Sequence, residues 1–300
     1  MKAKQQLGQN FLMHQKTADR IASSADLPKG AHVLEIGPGT GMLTRALLGE
    51  GACVTAIEAD GELVAELTEA FAKELTSGAL TLIHGDIRSF DLSTLSVKPQ
   101  NDRSTRRGKA RNEDVQGYGV VKSQAPQRNN SAHFEASYYV VANIPYYITG
   151  EIIRLLLTAK NKPASITLLV QKEVAVRVAR SKKESLLSLS VKVFGTPKYL
   201  FTVPRGAFRP APSVDSAVLH IHSICSPFKT TREEAHFFSV LHAGFAHKRK
   251  KLSRNLEIVA SPLAIHKAFT YCELAENLRA EDLSLSVWLV LADKLKKRTA

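Results

Sequence analysis

The sequence predicts an α/β fold, a parallel sheet with crossover helices, followed by a small helical domain. Three features carry that expectation. Short apolar runs alternate with amphipathic helical stretches from residue 14 to residue 86. A glycine-rich turn joins the first run to its helix. Beyond residue 225 the strand pattern gives way to helical periodicity.

Taking the elements in order, Ala18, Ile21, Ala22 and Ala25 recur at helical spacing over 14–25, before a break at Pro28-Lys29-Gly30. Residues 32–36 form a short buried strand that runs into Gly37-Pro38-Gly39-Thr40-Gly41. A helix follows with Leu43, Ala46 and Leu47 on one face. Residues 52–57 make a second strand ending at Glu58. Residues 60–75 make a helix with Leu63, Leu67 and Phe71 inward, and 80–83 a third strand leading to Gly85-Asp86. The alternation then stalls. Residues 97–135 are rich in Arg, Asn, Gln, Ser and Gly, the composition of a disordered insertion, either a tolerated surface segment or an RNA-gripping arm. The pattern resumes with a strand at 138–142, a helix over 147–159, a strand at 165–170 and a helix over 172–180. Residues 186–194 suit helix or strand. Residues 199–203 and 217–221 read as late strands of the same sheet. Helices are expected over 235–245, around 252–259 and near 283–295. The domains expected are therefore 1–224 and 225–300.

Composition narrows the function classes. The chain has 300 residues, 44% hydrophobic and 23% charged, which is ordinary for a globular protein and excludes wholesale disorder, collagen and coiled coil. Lys and Arg number 41 against 28 Asp and Glu, a net charge of +13, which points to a polyanionic partner. Cys53, Cys225 and Cys272 are scattered and odd in number, with no C-x-x-C, so neither a disulfide framework nor a metal site is expected. No apolar stretch approaches membrane-spanning length, and the polar start lacks a secretory signal. A cytoplasmic protein with no membrane partner is the expectation.

Gly37, Gly39 and Gly41 lie between a strand and a helix, where tight turns and close ligand approach need glycine. A dinucleotide site would have G-x-G-x-x-G; here the spacing is G-x-G-x-G, and Met42 occupies the third dinucleotide position. The tighter pattern suits a ligand without phosphate, such as S-adenosylmethionine, its amino-acid end packed on the loop. Glu58 ends the second strand, where a carboxylate can accept from both ribose hydroxyls. Asp86, with Ile87 beside it, ends the third, where a carboxylate can accept from the adenine amine. The sheet is thus expected to be the Rossmann-like sheet of a class I S-adenosylmethionine-dependent methyltransferase.

Asn143-Ile144-Pro145-Tyr146 follows the fourth strand, at the sheet edge where substrate meets cofactor. An adenine N6 amine is a poor nucleophile because its lone pair is delocalised into the ring. The Asn143 side-chain oxygen and the Ile144 carbonyl can accept its two N–H bonds and favour a more tetrahedral nitrogen. Pro145 stiffens the turn, and Tyr146 can stack on the purine. Catalysis of that kind is positioning and local electrostatics, with no general base.

The chain resembles the ribosomal RNA adenine N6-dimethyltransferases over nearly its whole length. The motifs are Leu7-Gly-Gln-Asn-Phe-Leu12, Glu35-Ile-Gly-Pro-Gly-Thr-Gly41, Gly85-Asp86, Asn143-Ile-Pro-Tyr-Tyr-Ile148, Val203-Pro-Arg-Gly-Ala-Phe208, Pro210-Ala-Pro-Ser-Val-Asp-Ser216, Phe245-Ala-His-Lys-Arg-Lys-Lys251 and Arg279-Ala-Glu-Asp-Leu-Ser284. The resemblance implies cofactor contacts at Asn10, Leu12, Gly37, Glu58, Asp86 and Asn143, with the purine held by Tyr146 and Phe208 as a second aromatic. Of the family's two branches, the motifs look like the one that dimethylates two neighbouring adenosines in the terminal hairpin loop of small-subunit (16S) rRNA during ribosome assembly. Its partner would be that RNA or the immature small subunit. The departures are the insertion, Arg205 where a second proline is more usual, and Tyr147.

Lys248, Arg249, Lys250, Lys251 and Arg254 form a basic cluster suited to RNA phosphates, which would position RNA without reading its sequence. Lys294, Lys296, Lys297 and Arg298 form a second basic run. The other functions compatible with these residues are the large-subunit resistance methylase, a DNA adenine methyltransferase, and a non-catalytic RNA-binding factor. No large apolar stripe is left over, so a monomer is expected.

Overall fold

The computed structural model describes residues 9–92, the backbone of Lys122–Ser123, and residues 138–296. The insertion expected over 97–135, that backbone pair apart, lies outside the described residues, as do Lys297 and Arg298.

The strands are β1 (Phe11–Leu12), β2 (His32–Ile36), β3 (Cys53–Glu58), β4 (Leu80–His84), β5 (Lys122–Ser123), β6 (Tyr138–Asn143), β7 (Ser165–Gln171), β8 (Thr196–Val203), β9 (Phe208–Arg209) and β10 (Ser216–His222). Eight of them form one sheet in the order β5-β4-β3-β2-β6-β7-β10-β8. β5 through β7 run parallel to their neighbours, and β10 returns antiparallel to β7. Central strands buried on both faces need continuous apolar runs, and Val33, Leu34, Val140, Val141, Ile166 and Leu168 have no measurable exposure. The chain winds outward from β2 through β3 and β4, then crosses back to β6 beside β2. The order therefore reverses between β2 and β6, and the crevice beyond their carboxyl ends is where such sheets bind ligands.

The helices follow the predicted periodicity, with differences at their ends. α1 (Gln15–Ser24) and α2 (Met42–Gly49) flank β2 in the chain. The single helix expected over 60–75 is two, α3 (Gly61–Ala70) and α4 (Ala72–Ser77), because Phe71 leaves the helical region at φ −118° and buries its ring. Asp60 caps α3 by accepting from the Glu62 N–H at 3.1 Å. α5 (Thr149–Thr158) and α6 (Lys172–Ala179) come next. The ambiguous stretch after 186 is helical, α7 (Leu186–Lys192), started by a Ser185–Ser188 capping box. α8 (Thr231–Gly244), α9 (Leu252–Leu256), α10 (Pro262–Tyr271) and α11 (Leu285–Lys294) complete the chain.

The described residues form two compact units. The first is 1–172 with 200–222, which holds most of the sheet. The second is 173–199 with 223–300, so α7 belongs with the C-terminal helices, which a single division at residue 225 does not anticipate. Within the second unit, a Cβ on Gly244 would lie 2.3 Å from the Trp288 ring, so the end of α8 approaches α11 as closely as glycine allows. No helix among the described residues is long and apolar enough to cross a membrane.

Candidate active site

The C-terminal ends of four adjacent strands build one cleft in the first unit. Across the sheet they present Asn143 after β6, the glycine loop after β2, Glu58 at the end of β3, and Asp86 after β4. Of the residues predicted to serve cofactor and substrate, Asn10, Leu12, Gly37, Gly39, Glu58, Asp86, Ile87, Asn143, Ile144, Pro145 and Tyr146 all line it.

Two predicted residues do not. Gly41 caps α2 at φ +76°, and a Cβ there would lie 2.4 Å from the Phe71 ring. Its glycine is demanded by helix packing. Phe208 is 3% exposed in the hydrophobic core, and β9 pairs with β1 through Leu12 opposite Phe208. It supports the N-terminal segment that carries Asn10. The aromatics at the cleft besides Tyr146 are Phe11 and Tyr147, the latter 61% exposed.

Gly37 (φ +67°) and Gly39 (φ +58°) hold the left-handed turns that side chains disfavour. The loop is tied across the sheet: the Gly37 N–H donates to the Ile57 carbonyl at 2.9 Å, and the Gly39 N–H to Glu58 Oε2 at 3.1 Å. Glu58 Oε1 accepts the Asp60 N–H at 3.0 Å. The Ala59 N–H is a third backbone donor, and a carboxylate oxygen has room for two, so the Glu58 carboxylate keeps one open acceptor position for a hydroxyl. Burial pushes the Glu58 carboxyl above its usual range, against the pull of the Asp60, Gly39 and Ala59 N–H groups.

Glu35, in β2, also reaches the cleft and is buried, accepting from Thr44 Oγ1 at 2.7 Å. Burial pushes its carboxyl up to about 8, Thr44 opposes this, and Glu58 adds to it.

Asn143 Nδ2 donates to the Asn10 carbonyl at 3.0 Å. A carbonyl only accepts, so the amide nitrogen must face it, and Oδ1 remains as the acceptor. Pro145 sits at φ −58°, and Tyr146–Ile148 make one 3-10 turn into α5. The Tyr146 hydroxyl bonds Ser216 Oγ at 2.5 Å, which fixes the ring. Burial raises that hydroxyl's pKa and the bond to Ser216 lowers it.

Arg88 was not predicted and lines the cleft. Its guanidinium binds the Asp86 carboxylate and holds that carboxyl below the usual range. The signal available in the sequence was its place two residues after the strand-end acid, where a side chain can fold back on it.

In the second unit Lys248, Arg249, Lys250 and Lys251 are exposed on the segment between α8 and α9 and make no ion pair among the described residues. Arg254 pairs with Glu257 at 3.0 Å. Buried Asn255 shapes the segment's entry, donating to the Gly244 carbonyl at 2.6 Å and the His247 carbonyl at 3.1 Å. The three cysteines are free, and no metal-ligating cluster is found among the described residues.

A family model described as ribosomal RNA adenine dimethylase matches residues 1–297. The chain belongs to the ribosomal RNA adenine dimethylase family. Among curated relatives, a protein named ribosomal RNA small subunit methyltransferase A from Dehalococcoides mccartyi (strain ATCC BAA-2100) is 35% identical over 96% of this chain and 87% of that one. Another of that name, from Lactococcus lactis, is 34% identical over 97% and 90%. Among solved structures, a dimethyladenosine transferase from Plasmodium falciparum has a TM-score of 0.65 at 22% identity, covering 94% of this chain and 95% of that one. The 23S rRNA methyltransferase ErmE has a TM-score of 0.64 at 22% identity, covering 95% and 99%. These two likenesses concern the fold. In this rRNA adenine dimethylase the cofactor is S-adenosylmethionine, and the residues fit it: glycine-loop backbone, an open acceptor position on Glu58, and apolar walls from Ile57, Leu63 and Ile87.

Proposed function

We propose that the chain methylates the N6 amines of two adjacent adenosines in the 3′-terminal hairpin loop of small-subunit rRNA, in assembly of the small ribosomal subunit. The observation that carries the reading is the Asn143 amide, clamped at its nitrogen by the Asn10 carbonyl so that Oδ1 is left to accept. The curated relatives' names favour the small-subunit branch.

S-adenosylmethionine, when bound, supplies an electrophilic methyl group on a sulfonium. Glu58 would hold one of its ribose hydroxyls, the Gly37–Gly39 backbone and the Asn10–Leu12 segment its amino-acid end, and Asp86 with Ile87 its adenine. Asn143 Oδ1 and the Ile144 carbonyl accept the two N6 hydrogens of the target adenine. Both acceptors favour a more tetrahedral nitrogen with its lone pair exposed. Tyr146, fixed by Ser216, stacks on the purine, and Pro145 limits the turn's freedom. After transfer the nitrogen carries an acidic proton that water removes, so no side chain need act as base. Lys248–Lys251 meet RNA phosphates and position the loop. The working form is a cytoplasmic monomer that meets the immature subunit.

Labelled methyl transfer, run in parallel on immature small subunits, large-subunit RNA and duplex DNA, tests the assignment. Label confined to the small subunit is expected. Label in large-subunit RNA or DNA would replace the reading, and none anywhere with cofactor bound would leave a binding role.

A further inference from the structure

The Asn10 carbonyl that accepts from Asn143 Nδ2 belongs to the peptide between Asn10 and Phe11. A peptide is a rigid plane, so where that carbonyl points depends on how the chain is held on each side of it. On the C-terminal side the hold is backbone pairing and packing. Leu12 lies opposite Phe208 in the β1–β9 ladder, and the Met13 N–H donates to the Ala207 carbonyl at 2.8 Å. The Phe11 ring lies against the glycine loop, where a Cβ on Gly39 would come within 3.0 Å of it.

On the N-terminal side the hold comes from a side chain. Gln9 Nε2 donates to Asp60 Oδ2 at 3.2 Å, across 51 residues of sequence. A carboxylate only accepts, so the amide nitrogen must face it, and a bond to a charged acceptor is among the stronger kinds. Asp60 is itself a fixed post. It is buried where β3 passes into α3, its N–H donates to Glu58 Oε1 at 3.0 Å, and its Oδ1 accepts the Glu62 N–H at 3.1 Å. Gln9 lines the same cleft as Asn10 and Asn143. A chain of contacts thus runs from Asp60 through Gln9 and the Asn10 carbonyl to the Asn143 amide.

We propose that Gln9 is a positioning residue for methyl transfer: held by Asp60, it fixes the Asn10 carbonyl that orients the Asn143 amide toward the adenine. The inference rests on the role proposed above for Asn143. Gln9 makes none of the backbone bonds that hold the glycine loop to Ile57 and Glu58. Its loss should therefore act on the rate with cofactor bound more than on cofactor affinity.

The test is single-turnover methyl transfer to immature small subunits at saturating S-adenosylmethionine, with S-adenosylhomocysteine affinity measured on the same preparations. Gln9→Met keeps the side chain's length and cannot donate. Gln9→Glu sets a carboxylate against Asp60. Both should lower the rate constant by roughly ten- to a hundred-fold, the scale of a small misplacement at a reacting centre, with S-adenosylhomocysteine affinity within a few fold of wild type. Asp60→Asn still caps α3 through Oδ1 and turns an amide nitrogen toward residue 9. Added to Gln9→Glu it rebuilds the bond with its direction reversed and should restore most of the rate; added to Gln9→Met it should restore nothing. Misfolding would lower the reaction amplitude and leave the rate constant of the folded fraction alone. Rate constants of both single variants within a few fold of wild type, a loss confined to amplitude, a larger loss of affinity than of rate, or no rescue of Gln9→Glu at full amplitude would each overturn the inference. Asn143→Ala in the same assay separates the two readings: if it is as fast as wild type, the role given to Asn143 falls, and if it is slow while the Gln9 variants are not, only this inference does.

Discussion

Asn143 Nδ2 lies 3.0 Å from the Asn10 carbonyl, so the strand-end amide is oriented by a backbone group far away in the sequence. Asn143→Ala removes the Oδ1 acceptor and should lower kcat by roughly 10²–10³-fold, the usual cost of losing one preorganised hydrogen-bonding group. Asn143→Asp should also fail, because a carboxylate cannot donate to the Asn10 carbonyl. Single-turnover methyl transfer with saturating cofactor checks both. Rates within a few fold of wild type would contradict the role.

Tyr146 separates stacking from anchoring. Tyr146→Phe keeps the ring but strands the Ser216 hydroxyl, which is fully buried, and should cost about 1–2 kcal/mol of stability. Its methyl-transfer rate should stay much closer to wild type than that of Tyr146→Ala. Urea denaturation and initial rates on the same preparations decide this.

The glycines of the loop should differ in what they cost. Gly41→Ala drives a Cβ into the Phe71 ring at φ +76° and should lose on the order of 2–4 kcal/mol. Gly37→Ala places its Cβ in ordinary contact with the Asn143 backbone carbonyl at 4.0 Å and so pays mainly for its φ of +67°, about 1–2 kcal/mol. Denaturation midpoints at constant slope would show the ranking.

Glu35 gives a pH signature. Its carboxyl stands near 8 in the folded chain, above the ordinary 4.5, so folding retains a proton that the unfolded chain releases. Its contribution to stability is complete below the ordinary glutamate range, falls as pH rises toward about 8, and is flat beyond. Glu35→Gln keeps an acceptor for Thr44 and removes the decline. It should gain on wild type by on the order of a few kcal/mol between pH 5 and pH 8. Parallel pH profiles of unfolding free energy for the two proteins would contradict this.

Reversing the charges of Lys248–Lys251 should weaken RNA binding and shallow its dependence on salt by up to roughly 0.9 in the log–log slope per lost phosphate contact. The same substitutions should leave S-adenosylhomocysteine binding alone. An unchanged salt titration would remove these residues from the interface.

The parallel sheet was legible because its central strands are buried on both faces and so are written as unbroken apolar runs. The strand-end groups Glu58, Asp86 and Asn143 were legible because a sheet's carboxyl edge orders them. What escaped was short or non-local. β1 and β9 have two residues each, too few for any period, and only their pairing explains why Phe208 is core. α10 was missed although Ser261 and Pro262 mark its start, with the Ala264 N–H donating to Ser261 Oγ at 3.3 Å. Arg88 was missed because its role depends on where a side chain folds back, which no spacing rule encodes.

The most direct test is nucleoside analysis of small-subunit rRNA from immature particles treated with wild type and with Asn143→Ala. The account predicts two adjacent N6,N6-dimethyladenosines in the 3′-terminal hairpin loop with wild type and unmodified adenosine with the variant. Methylation elsewhere, or dimethyladenosine formed equally by both proteins, would contradict it.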